Sequence, residues 1–293
     1  TVLHNKMLLK VAVIALLLFS VCAAEDDVVK PEYTKKVAAF EQWYKERNPT
    51  VEKITLGVRP SVPNVLGNAT VHLTIESIGE GDLIFEAPEE LVITLQTVRD
   101  SPVGVMLKSN KKLQEALSSL EELALYFLYS RNCVPSKEKY FWSTYMAALP
   151  DAEDLNHVLL MSEEEFSLLK GSIAFGVGQE IRERAHQTFA LLHAELFQDE
   201  DIDALMECTS LSEDSWNWAM ATVLARHMRF VDLSQTSSDG GSFPAIVPYY
   251  DFVGHYPTVS AMNGRTAEGI YHAELEHKEE TEVFRGVANW CNA

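Results

Sequence analysis

The chain has 293 residues, 47% of them apolar, which is enough to bury a full core, excludes intrinsic disorder and permits one large domain or two small ones. Asp and Glu outnumber Lys and Arg by 43 to 24, and the resulting net charge of -19 repels phosphate backbones and anionic membrane surfaces. Nucleic acid is therefore excluded as a partner, and basic peptides are the complementary one.

Residues 1–6 precede the first plausible initiator, Met7. From Met7 to Ala24 one lysine, an apolar run and small terminal residues follow the three-part plan of a cleaved secretory signal peptide, so residues 1–24 form a signal-peptide region. The apolar stretch is shorter than the ~20 residues that a spanning helix needs, and Glu25-Asp26-Asp27 follows at once. No stable membrane span is expected after cleavage, and the expected location is the secretory pathway or the extracellular space. Cys22 leaves with that segment. Cys133, Cys208 and Cys291 are too widely spaced for a zinc ribbon or a disulfide scaffold and read as buried thiols. Asn68-Ala69-Thr70 is the usable glycosylation sequon, because Pro49 disqualifies Asn48-Pro49-Thr50.

Val37, Phe40, Trp43 and Tyr44 recur at helical spacing and predict a helix from Pro31 to Arg47, ended by Asn48-Pro49. Short β-branched segments broken by Gly or Pro then predict strands at Lys53 to Val58, Thr70 to Glu76, Asp82 to Ala87 and Leu91 to Leu95. After about Val103 the texture turns helical. Helices are expected over Lys111 to Asn132, Glu138 to Ala147, Ser162 to Leu169, Gly178 to Phe197 and Ser212 to Phe230, with acidic N-terminal caps at Ser162 and Ser212. Ser234 to Ser242 reads as a loop, and β character returns in Ala245 to Pro248, Ile270 to Leu275 and Thr281 to Arg285. Two β regions flanking a long helical stretch describe either two domains or one sheet interrupted by an insertion, and pattern alone does not choose.

Local signatures in order supply more. Phe40-Glu41-Gln42-Trp43 is followed by Ile78-Gly79-Glu80-Gly81-Asp82-Leu83-Ile84-Phe85-Glu86-Ala87-Pro88, then by Leu123 to Leu128, Phe141-Trp142-Ser143-Thr144-Tyr145 to Pro150, Trp218-Ala219 with Val223 and Arg226, and Ile246-Val247-Pro248-Tyr249-Tyr250-Asp251-Phe252-Val253-Gly254-His255. Across roughly residues 37 to 293 this succession resembles the SET-domain protein methyltransferases, in the branch of Rubisco large-subunit lysine methyltransferase and actin-histidine methyltransferase. The resemblance implies an α+β fold: a β-rich SET core, in two parts at 25–104 and 231–293, split by a helical insertion at 105–230. It implies S-adenosylmethionine as cofactor and a protein or peptide substrate. Arg226, Asp251, Gly254, His255 and Asn292 then fall at cofactor-site positions, supported by the backbone near Glu80 to Phe85. Transfer in such a site depends on alignment of donor and acceptor, and a desolvated channel helps a target lysine lose its proton.

The chain departs from that pattern at three places. Gly67-Asn68-Ala69-Thr70-Val71 lacks the family's second glycine, and a glycan on Asn68 would stand near the cofactor. Asp251-Phe252-Val253-Gly254-His255 carries Gly254 where the family has asparagine; Asp251 and His255 either keep their cofactor role or simply hold a buried turn. In Glu282 to Ala293 the family's tyrosine falls at Val287 and its glycine at Ala288, with Asn292 retained. A valine cannot orient an amine as a phenol does, so Tyr249, Tyr250 or Tyr256 would have to replace it, and no catalytic residue is assigned. By that resemblance the sequence is expected to be a divergent copy that stops before the family's last tyrosine-bearing segment and helical lobe.

Two Glu-x-x-His pairs, Glu183 with His186 and Glu274 with His277, lack the further glutamates of a dimetal site and read as solvated positions, so no metal is expected. Phe175-Gly176-Val177-Gly178 is read as a cap for the next helix rather than a phosphate loop, and no Gly-x-Ser-x-Gly or His-Glu-x-x-His motif occurs. The expected function is that of a SET-fold protein-lysine or histidine N-methyltransferase with impaired or lost activity. The alternative is a non-catalytic module of the secretory pathway that holds basic peptides.

Overall fold

A computed structural model describes residues 31–51, 54–59, 69–74, 83–132, 141–196, 211–232, 242–252, 271–278 and 283–290. The signal-peptide region, Asn68, the three mature cysteines, Gly254, His255, Tyr256 and Asn292 lie outside them. The elements run α1 (Pro31–Arg47), β1 (Ile54–Arg59), β2 (Ala69–Thr74), β3 (Leu83–Pro88), α2 (Leu95–Arg99), α3 (Pro102–Ser109), α4 (Lys111–Ala116), α5 (Ser119–Asn132) and α6 (Ser143–Ala148). They continue with α7 (Glu163–Ser167), α8 (Ile173–Leu196), α9 (Glu213–Arg226), β4 (Met228–Asp232), β5 (Ser242–Ala245), β6 (Tyr271–Lys278) and β7 (Val283–Trp290). Helix outweighs strand among the described residues, and no described helix is long and apolar enough to cross a membrane.

Two sheets form. β1 and β2 make an antiparallel pair, and a second sheet has the order β3-β7-β6-β4-β5. In it β7 lies antiparallel to both β3 and β6, and β4 runs parallel to β6. Strands from before and after the helical stretch thus share hydrogen bonds, β3 with β7. β2 also approaches the turn at Tyr250–Phe252.

α1 forms because Tyr33, Val37, Phe40 and Tyr44 make one buried stripe, and it stops where Asn48 turns inward. The Asn48 amide donates to the Glu86 carbonyl (2.7 Å) and its oxygen accepts from the Thr50 hydroxyl (2.6 Å), tying the helix end to β3. The expected strand at Leu91 to Leu95 is instead a 3-10 turn at Glu89–Leu91, a single bridge from Ile93 to Ile246 and then α2. Thr94 and Thr97 cap each other reciprocally and start that helix, overriding the β-branched composition. The single helix expected over Lys111 to Asn132 is two, broken at Leu117, which is extended. Glu121 caps the start of the second one: its carboxylate accepts the Ser118 N–H and hydroxyl, three residues back (2.7 Å each). The signal was present as Ser118-Ser119-Leu120-Glu121.

α9 ends at Arg226 rather than at Phe230, because Met228–Asp232 pairs as β4 between β5 and β6; a short apolar run fits strand and helix alike until a sheet claims it. Gly178 lies inside α8 and does not cap it. A Cβ there would meet the Phe166 ring at 2.7 Å, so the glycine lets α7 close on α8. Gly104 is tighter still, since a Cβ would sit 2.3 Å from the Arg99 carbonyl oxygen and backbone cannot swing aside. Gly104→Ala is expected to cost about 2 kcal/mol through forced separation of α2 and α3, seen as a lower urea midpoint at unchanged m.

Candidate functional site

Arg226 is the last residue of α9, and that helix is anchored along its length. Trp216 Nε1 donates to the Ala185 carbonyl (3.0 Å) and Trp218 Nε1 to the Pro150 carbonyl (3.0 Å), so two indoles fill the interior with their polar edges satisfied. Asp251 sits in the 3-10 turn Tyr250–Phe252 that follows β5, with its N–H on the Val247 carbonyl (2.9 Å). The two side chains, 10% and 0% exposed, meet as a buried ion pair, Arg226 Nη1 to Asp251 Oδ2 at 2.9 Å. The Tyr145 phenol of α6 donates to the same Oδ2 (2.7 Å), and Phe252 lies under the guanidinium, 4.3 Å from ring centroid to Cζ.

The electrostatics follow from this burial. Desolvation pushes the Asp251 carboxyl up from its ordinary range, opposed by Arg226 and by the Tyr145 hydrogen bond. Arg226 stays charged: burial works against it, and the attraction of Asp251 outweighs that cost. Burial and the neighbouring Asp251 charge drive the Tyr145 phenol well above its ordinary range, so it keeps the proton that it donates to Asp251. Two polar atoms of the pair are left over. Arg226 Nε, a donor, and Asp251 Oδ1, an acceptor, have no hydrogen-bond partner among the described residues.

Around this pair lies an aromatic wall. Phe40, Tyr44, Tyr145, Tyr249 and Phe252 are all buried, with ring centroids 4.9 to 6.4 Å apart in successive contacts. Tyr249 and Tyr250, the sequence candidates for a replacement phenol, are fully buried in it, and the Tyr249 hydroxyl donates to Glu41 (3.2 Å). Val287 lies in β7, the second strand of the larger sheet, opposite Leu83 of β3 and Glu274 of β6. The β3 register shifts between Leu83 and Phe85, opposite Val287 and Gly286, so the ladder is irregular at this position.

Of the residues singled out by sequence, Arg226 and Asp251 are brought together, Val287 is placed in the adjoining sheet, and Gly254, His255, Asn292 and Asn68 lie outside the described residues. Tyr145 is buried in the core and is also the second donor to Asp251. Glu41 was passed over, although its signal was legible: a carboxylate between Val37 and Tyr44 on the apolar face of α1. His186 is exposed at the surface of α8. It pairs with Glu213 across α8 and α9 (2.8 Å), Glu183 accepts from Gln187, and Glu274 with His277 lies in β6. Among the described residues no group of three or more His, Cys, Asp or Glu side chains is placed to hold a metal ion.

No family model matches the chain, and no curated protein matches it. Solved structures do. The SET domain of LSMT, in a crystal structure with lysine and AdoHcy, matches with a TM-score of 0.60 at 18% identity, over 87% of this chain and 50% of that one. Rubisco LSMT bound to sinefungin and monomethyllysine gives 0.57 at 19% identity over 86% and 49%, and Rubisco LSMT bound to AdoMet gives 0.56 at 19% identity over 86% and 49%. The fold of this chain is therefore that of the SET-domain methyltransferases. It spans about half the length of the solved chains that it matches.

Proposed function

We propose that this chain is a SET-fold protein that binds S-adenosylmethionine, derived from protein-lysine or protein-histidine N-methyltransferases, with methyl transfer impaired or lost. The observation that carries the reading is the buried Arg226–Asp251 pair with one unused donor and one unused acceptor. The amino-acid end of S-adenosylmethionine bears a carboxylate and an ammonium, which match Arg226 Nε and Asp251 Oδ1 in kind. Bound, the cofactor supplies an activated methyl on a sulfonium, and the protein's part is orientation and exclusion of water. Asp251 neutralises Arg226, Tyr145 fixes Oδ2 so that Oδ1 is the free oxygen, and Phe252 covers the guanidinium face.

The impairment is read from two side chains. Gly254 brings no amide where the resemblance places one, and Val287 brings neither donor nor acceptor to the position where a phenol would orient the incoming amine. In this reading residues 25–104 and 231–293 are the two parts of the core and 105–230 the insertion. Titration calorimetry tests the proposal: one-to-one binding of S-adenosylmethionine below millimolar concentration, with no turnover on basic peptides, is expected. No heat at millimolar cofactor overturns it, and brisk transfer to a basic peptide overturns the impairment.

A second reading is favoured by charge. A groove of about 630 Å³ among α7, α8 and α9 is lined by Glu163, Glu180, Glu183 and Glu213 over Leu159 and Phe166; Arg182 pairs with Glu163 and His186 with Glu213, so its acidic excess rests on Glu180 and Glu183, and it shares no residue with the Arg226–Asp251 pair. A secreted, non-catalytic module holding basic peptides would bind them without S-adenosylmethionine and more weakly in salt. Peptide affinity unchanged between low and high salt would exclude it.

A further inference from the structure

Tyr249 is the non-glycine residue in left-handed conformation among the described residues, with φ 83. A side chain holds such a backbone only where its surroundings over-determine it. Here α1 grips the ring at both ends: Tyr44 stacks on its face, with centroids 4.9 Å apart and planes at 16°, and Glu41 receives its phenol (3.2 Å). Two residues beyond Tyr249 is Asp251. The turn that the left-handed residue begins is what carries the Asp251 carboxylate back toward Arg226 and Tyr145.

Glu41 does more than accept one phenol. Its Oε1 also takes Lys45 Nζ (2.8 Å), the Thr55 hydroxyl (2.6 Å) and the Leu56 backbone N–H (2.9 Å), so one oxygen joins α1, β1 and the Tyr249 turn. Its side chain is 17% exposed. Burial would make the neutral acid easier to form, but Lys45, Thr55 and the Leu56 N–H outweigh it and keep the carboxyl below its ordinary range.

We propose that Glu41 is a positioning residue: through the Tyr249 phenol it holds the left-handed turn in the one arrangement that presents Asp251 to Arg226 and Tyr145. That the presented carboxylate serves a cofactor rests on the function proposed above.

The test uses Glu41→Leu, Glu41→Gln, Tyr249→Phe and the double variant Glu41→Leu/Tyr249→Phe, each in the full chain at a temperature where melting curves show it folded. In protein labelled at tyrosine Cζ, the Tyr145 resonance, assigned with Tyr145→Phe, is expected to move in Glu41→Leu and Tyr249→Phe, although Tyr145 is bonded to neither residue. S-adenosylmethionine affinity is expected to fall about tenfold in each, the size of one lost hydrogen bond to a charged group. The double variant is expected to be no weaker than Glu41→Leu, because both act by one route, and Glu41→Gln, which keeps an acceptor oxygen, to fall between. A Tyr145 resonance unmoved in folded variants, or losses that add in the double, overturns the proposal. If Glu41→Leu does not fold, Tyr249→Phe, which removes one hydroxyl, carries the same test. Failure of the wild-type protein to bind S-adenosylmethionine would remove the proposed function, while the Tyr145 resonance would still judge Glu41.

Discussion

Asp251→Ala is expected to destabilise the protein by about 3–5 kcal/mol, the cost of leaving a buried cation without its partner. Arg226 is left with little solvent at 10% side-chain exposure, and its Nη1 has Asp251 as the acceptor that neutralises it. The Tyr145 phenol, fully buried, loses its acceptor in the same step. The loss is therefore that of a broken network and not the net worth of the pair. A triple variant, Arg226→Met with Asp251→Leu and Tyr145→Phe, removes every polar member at similar volume and is expected to recover most of the loss, because the desolvation penalty of both charges disappears with them. Urea unfolding of the single and triple variants decides. An Asp251→Ala loss under about 1 kcal/mol would mean that the pair is solvated, and a triple variant no better than the single would mean that packing, not charge, holds the turn. If the triple variant is stable yet indifferent to S-adenosylmethionine, a fold-neutral network has been kept for binding.

How much of this was legible beforehand depended on range. Local rules found α1 because Val37, Phe40 and Tyr44 keep helical period, and found β1, β2 and β3 because short β-branched runs are punctuated by Gly and Pro. They failed where a neighbour distant in sequence decides. Nothing within Met228–Asp232 says that β5 and β6 await it, so the segment reads as more of α9. Nor does Phe175-Gly176-Val177-Gly178 show that Phe166 needs the space above Gly178, so a helical glycine reads as a cap. The joining of β3 to β7 across nearly the whole chain has no local signature; only the order of motifs pointed to it. At the site, Arg226 and Asp251 were named separately by resemblance, whereas the bond between them, and Tyr145 and Glu41 as their supports, became visible once α1, α6 and α9 were packed against one turn. A capping box such as Ser118 to Glu121 was readable and passed over because a continuous apolar stripe from Leu113 to Leu128 masked the break.

That same Glu121 carries the second large effect. Its carboxylate is 1% exposed and accepts five hydrogen bonds: Arg184 Nε on Oε1 (2.7 Å) and Arg184 Nη2 on Oε2 (2.6 Å) as a fork, Thr188 Oγ1 (2.5 Å), and the Ser118 N–H and hydroxyl (2.7 Å each). It therefore caps α5 and staples it to α8 at once. Glu121→Ala is expected to cost about 3 kcal/mol, at the low end for a broken buried pair because Arg184 is half exposed and can turn to water. Glu121→Gln keeps the acceptor for Thr188 and is expected to cost less. The pH dependence gives a sharper check. Burial alone would raise the Glu121 pKa, and the hydrogen bonds from Arg184, Thr188 and Ser118 outweigh it, so the folded-state value lies below the unfolded one. Its contribution is then fully present above the unfolded pKa of about 4.3 and disappears as pH falls through the depressed folded value. Urea midpoints of wild type and Glu121→Gln should accordingly converge below about pH 4 and stay apart at neutral pH. A constant gap between them across that range would show that Glu121 is not held ionised by its partners, and that the junction of α5 with α8 rests on apolar packing instead.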